Sequence, residues 1–149
     1  MLAKVLTELY ERDLNKLREE IMQFTDEADL WKTGEGVTNS AGNLCQHLTG
    51  NLQHFFGAVL GNSGYVRDRD SEFASKTATR AELLADIDSA FASVKNTIAS
   101  LTDEDFSKTY PIEVFGQPMT TGYFLTHLAT HFNYHLGQIN YHRRLVAKA

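Results

Sequence analysis

The sequence predicts an all-α protein, a four-helix bundle with long crossover connections. Four segments repeat apolar residues at three- and four-residue steps, the spacing of one helix face. Capping residues stand ahead of two of these segments. Strand-like alternation is confined to one short stretch, residues 110–119.

The first helix is expected over about 2–24, where Leu2, Val5, Leu6, Leu9, Leu14, Leu17, Ile21 and Phe24 share one stripe. The second, roughly 41–60, follows Asn39-Ser40, carries Leu44, Leu48, Leu52, Phe55, Phe56 and Val59, and stops at Gly61. Thr79 and Glu82 have capping-box spacing ahead of the third, whose apolar face is Leu83, Leu84, Ile87, Phe91, Val94, Ile98 and Leu101. The fourth begins at Thr120 or Thr121 and runs to about Val146, with Phe124, Leu128, Phe132, Leu136, Ile139 and Leu145 as its apolar set.

The connections, about 25–40, 61–78 and 102–119, are long enough to cross the bundle. In the third, "TYPIEVFGQPMTT", Tyr110, Ile112 and Val114 alternate ahead of a Gly-Gln-Pro turn, which reads as a short hairpin over one end.

A chain of 149 residues suits one domain, 1–149, that buries a core without disulfides. Its net charge of -5 argues against nucleic acid as a partner, because phosphate binding needs a clustered basic surface. Arg143, Arg144 and Lys148 do cluster, but at the end of the last helix, where they complement its dipole. The lone Cys45 excludes an internal disulfide and any CxxC motif. No run approaches the ~18 apolar residues of a membrane span. A soluble, cytoplasmic protein is expected.

Chemistry concentrates in "HFNYHLGQI", residues 131–139. A step of four residues turns ~40° and rises ~6 Å, so the rings of His131 and His135 can converge on one ion. Both align with Phe124 and Leu128 and are therefore expected to face the bundle interior. The same spacing also serves two hydrogen-bonded core histidines, each with its own buried partner. His127 extends the pattern to HxxxHxxxH, yet it lies ~12 Å along the axis from His135, so all three cannot hold one ion. A third ligand must come from another helix. The second offers His47 and His54 in "CQHLTGNLQHFF". His47 sits between Leu44 and Leu48 at the edge of the apolar stripe; His54 is the rival, and reads equally as a solvent-edge residue.

Several chemistries are excluded. The general-base position of an HExxH peptidase is occupied by Phe132, and no Asp or Glu occurs from Thr120 to His142. No Glu has a His three residues later, as di-iron bundles require. There is no nucleophile elbow, P-loop or dinucleotide fingerprint.

A helical chain of this length with "QHL" on its second helix and "HxxxHxGQ" on its fourth resembles the DinB superfamily of metal-binding four-helix bundles. That family includes proteins assigned as metal-dependent hydrolases and the bacillithiol- and mycothiol-dependent transferases, and the resemblance spans nearly the whole chain. It implies a three-histidine metal site at His47, His131 and His135, with Gly137 and Gln138 matching the family's "GQ" and Leu136 standing where many members have Arg. It further implies crossover connectivity, a homodimer, and nickel or zinc as the divalent metal.

Three neutral imidazoles leave an ion with open positions, the pattern of a catalytic rather than a closed structural site. Gly137 costs ~1 kcal/mol in a helix interior, which a close helix contact or access to the site would explain. Gln138, one turn after His135, is expected to support that histidine, to contact a bound ligand, or to be solvated. Trp31, Phe115 and Tyr123 are candidate walls or lids, or core aromatics. With no carboxylate nearby to act as base, the expected activity is thiol-dependent S-transfer to a small-molecule substrate, a low-molecular-weight thiol being the cosubstrate. A metal-dependent hydrolase and a noncatalytic metal-binding stress-response protein are the alternatives.

Overall fold

The periodic segments fold as helices in the structure, a computed structural model that describes residues 1–148. The last residue of the expected 1–149 domain lies outside the described residues. The elements are α1 (Leu2–Met22), a 3-10 turn (Glu27–Trp31), α2 (Ala41–Leu52) continuing as a π-helix (Gln53–Leu60), α3 (Arg69–Ala74), α4 (Arg80–Ser100), α5 (Asp103–Ser107) and α6 (Thr121–Val146). None of these helices is long and apolar enough to cross a membrane.

α1 packs against α4 and α6, and α2 packs against the same two. Consecutive long helices α1 and α2 thus lie across a diagonal, as do α4 and α6, and the connections between them cross the ends of the bundle. The stripes meet in one core. Leu17, Ile21, Leu48, Phe56, Val94 and Phe132 are among its buried members. Tyr10 sets its ring edge against Phe56 at 5.2 Å and donates its hydroxyl to the Leu125 carbonyl at 2.7 Å, so its polar end is satisfied.

The expected caps are present. Ser40 accepts from Asn43 N, Thr79 and Glu82 form a capping box, and Thr120 accepts from Tyr123 N. Three expected stripe residues are not in the core: Val5 is 46% and Leu145 73% exposed, and Leu9 is half-buried outside it. Leu145 follows Ile139 by six residues, ~240° around the helix, and so turns to solvent. At the same end Arg143 donates to Glu20 at 2.7 Å, an ion pair with α1 rather than a dipole contact alone.

The connections hold short helices that periodicity does not signal. Asp68 caps α3, and Thr102 with Asp105 makes a capping box for α5. The expected hairpin reduces to one isolated bridge, Thr109 with Thr120, because residues 111–118 are largely exposed and gain no partner. Gly116, at φ +78°, makes the reversal. Side chains also reach carbonyls of the π-helix: Phe55 O accepts from Tyr110 at 2.6 Å, and Phe56 O accepts from Thr97 at 3.0 Å as well as from Gly61 N at 2.9 Å.

Leu17→Ala should lower stability by about 2–5 kcal/mol, read by chemical denaturation, since Leu17 is fully buried. Leu145→Ala should change it by less than about 0.5 kcal/mol. Circular dichroism should report mostly helix.

Candidate metal centre

Because α2 and α6 are packed neighbours, His47 meets His131 and His135, and one ring nitrogen of each lies within 4.8 Å of the other two. The three rings stand nearly perpendicular to one another, at 79°, 87° and 84°, with centroids 4.6–5.2 Å apart. His47 Nε2 and His131 Nε2 are 3.2 Å apart.

His47 is buried and backed by a carboxylate. Its Nδ1–H donates to Glu72 Oε1 at 3.0 Å, while Arg67 donates through Nε to Oε2 at 2.9 Å and through Nη2 to Oε1 at 3.0 Å. Burial alone would raise the Glu72 carboxyl; hydrogen bonds from His47 and Arg67 overcome that and hold it below the usual range. An ionised Glu72 fixes the His47 tautomer, leaving Nε2 unprotonated toward the other histidines.

Local sequence explains how Glu72 gets there. The side-chain amides of Asn43 and Gln46 both donate to the carbonyls of Glu72 and Ser75, at 2.8–3.1 Å, and so clamp α3 onto α2. Gly50 leaves the gap that the carboxylate fills, since a Cβ there would overlap it. The expectation of no nearby carboxylate is therefore corrected: none stands on α6, but Glu72 arrives from a connection. A glycine in mid-helix, three residues after His47, was its only trace in the sequence.

His135 donates Nδ1–H to Gln138 Oε1 at 2.7 Å, so Gln138 orients this ring and leaves its Nε2 free. His131 and His135 are half-buried, at the rim rather than in the interior as expected. Burial first, then the neighbouring histidines, pushes His131 down to about 4. His135 is lowered too, chiefly by burial.

The remaining expectations divide. His54 is outside the group: it follows His47 by seven residues, ~10 Å along the axis, beyond the change to π winding, and rests on Phe55. His127 is also outside, stacked on Phe124 and edge-on to Phe115. Gly137 makes no close helix contact, because a Cβ there would meet open space; it lines a groove between α1 and α6. Trp31 lies half-buried against Gly42, whereas Phe115 and Tyr123 are exposed and not core.

Two cavities open onto the histidines. One of about 200 Å³ reaches His47 and His131 and is walled by Phe55, Phe115 and Phe124. The other, about 310 Å³, reaches His135 and Gln138 past the 36–39 loop and Tyr134. Neither has a carboxylate in its lining.

These residues fit a divalent ion. Nitrogens bound ~2.0–2.1 Å from one ion are themselves ~3 Å apart at adjacent positions, close to the 3.2 Å separation here. An ion between the Nε2 atoms of His47 and His131 would take the lone pairs of both, whereas buried His131 Nδ1 has no partner with or without it. Either tautomer of His131 leaves one nitrogen unsatisfied or two lone pairs facing each other.

The comparisons agree with the fold. A crystal structure of a DinB-like protein from Bacillus cereus ATCC 10987 superposes with a TM-score of 0.72, at 16% identity, over 97% of this chain and 95% of that one. No curated protein matches the chain. The family model described as "Protein of unknown function (DUF1572)" matches residues 3–149. With an all-helical DinB-like fold and a family match along nearly its full length, the chain belongs to the DUF1572 family.

Proposed function

We propose that this protein is a metal-dependent S-transferase that holds a divalent ion, nickel or zinc, on His47, His131 and His135. It joins a low-molecular-weight thiol to a small electrophile and works as a cytoplasmic homodimer. One observation supports transfer over hydrolysis: neither cavity at the histidines carries a carboxylate, and Glu72 is engaged by His47 and Arg67. No free carboxylate is thus placed in either cavity to activate water.

Bound there, a divalent ion would supply Lewis acidity that favours the ionised form of a thiol at neutral pH. The protein's own part is preparation. Glu72 and Gln138 each hold the far nitrogen of a histidine, which fixes ring orientation. Burial keeps His131 neutral and so ready to ligate without first losing a proton. The aromatic walls limit water around the reacting groups.

In the metal-free protein, His131 titrates near 4 when folded and ~6.5 when unfolded, so between these values the unfolded chain binds the extra proton. Stability should therefore fall as pH drops from ~6.5 toward ~4, and this contribution should level off above ~6.5. His131→Gln should flatten that slope in thermal melts across the same range; an unchanged slope would assign it elsewhere.

Metal content after dialysis tests the ligands. His47→Ala, His131→Ala and His135→Ala should each lose most of the ion, while His54→Ala and His127→Ala retain it. Glu72→Gln should weaken affinity about 10–100-fold. Gly50→Ala, by displacing the carboxylate, should weaken it in the same direction.

Cobalt substitution tests the chemistry. Added thiol should bring in a sulfur-to-cobalt charge-transfer band, and turnover of an electrophile should need both metal and thiol. Ester or amide hydrolysis without thiol would favour the hydrolase. Cobalt binding with neither response would favour a noncatalytic metal-binding protein.

A further inference from the structure

The 200 Å³ cavity beside His47 and His131 holds features that ligating an ion does not use. Asn51 lines it and is only 6% exposed, yet its Oδ1 is buried without a partner. A buried amide oxygen left unpaired is costly, so its place beside the cavity points to a ligand that donates to it when the amide turns toward the opening. The opposite side is aromatic. Phe124 packs edge-on to Phe55 at 5.0 Å and to Phe115 at 6.1 Å, and the His127 ring lies 14° from parallel to Phe124. Phe115 is 55% exposed, an apolar surface the core does not need.

Charge in the lining is of one sign. Arg67 and Arg69 are its only permanently charged residues. The charge of Arg67 is offset by Glu72, whereas Arg69 makes no ion pair among the described residues and lies over the Phe73 ring at 5.3 Å. A 150 Å³ apolar cavity accepts benzene, so about 200 Å³ takes one ring with two small substituents.

We infer that this cavity binds the electrophile of the proposed transfer, as a planar aromatic molecule bearing one anionic group and one hydrogen-bond donor. The inference rests on the transferase reading for the role of that molecule. The ring lies against the aromatic wall that Phe115, Phe124 and Phe55 form together, the anion meets the Arg69 guanidinium, and an O–H or N–H is directed at Asn51 Oδ1.

Binding to the metal-free, full-length protein isolates the cavity from the ion. Probes of one shape and different charge are 4-hydroxybenzoate, 4-hydroxybenzyl alcohol and 4-hydroxybenzylamine, followed by NMR shifts of the His127 and Phe115 ring signals. The benzoate should bind about tenfold or more tightly than the alcohol, and the amine more weakly still. Arg69→Gln, at an exposed position that should not disturb folding, should remove the advantage of the benzoate and leave the alcohol unchanged. Asn51→Val should weaken 4-hydroxybenzoate toward the affinity of plain benzoate. Equal binding of amine and benzoate, or a benzoate advantage that survives Arg69→Gln, would overturn the inference. A cobalt titration of the same sample separates the two readings. Cobalt bound without charge discrimination removes the substrate assignment alone, and discrimination without cobalt binding removes the metal reading alone.

Discussion

The site depends on a carboxylate buried against a helix backbone. Glu72, 6% exposed, would be costly to hold as an anion, and each compensation shapes its surroundings. Arg67 grips it with two donors, His47 supplies a third, and Gly50 gives up its side chain to admit it. Asn43 and Gln46 then fasten the short helix that carries it. One anion thereby fixes the path of residues 67–75, the face of α2 they cover and the tautomer of a candidate ligand. Without the carboxylate, His47 would keep its place but lose the hydrogen bond that aims its free nitrogen.

What was legible in the sequence follows from how far each signal reaches. Leu17, Leu48 and Phe132 announce their burial through neighbours three and four residues away, so the long helices and caps at Ser40, Thr79 and Thr120 could be read locally. His131 and His135 share one helix, and their convergence needs only its pitch. Choosing His47 over His54 by spacing alone was not possible, because the answer depends on how α2 docks against α6 and on the π turn after Leu52. The Glu72 contact joins residues 25 apart through a six-residue helix too short to show a period. Gly137 misled for the opposite reason: its cost in a helix is local, but the open groove beside it is visible only in three dimensions.

The two cavities give the candidate centre a division of environment. On the His131 side the wall is aromatic and the charges are guanidinium; on the His135 side the wall is the 36–39 loop with Tyr134 and Gln138. A reaction that brings together two different small molecules needs two such approaches to one point, whereas addition of water needs only one. Half-burial of His131 and His135 leaves both approaches open, whereas a fully enclosed cluster would leave neither.

The diagonal placement of α1 and α2 bears on how the chain assembles. His47 and His131 stand 84 residues apart, and they meet only when the last helix closes onto the second. Closing that contact carries a loop-closure entropy that contacts within one helix do not. A metal held by residues from both helices binds the completed bundle in preference to any intermediate in which α6 is undocked. An ion held by both helices would act as a latch on that closure.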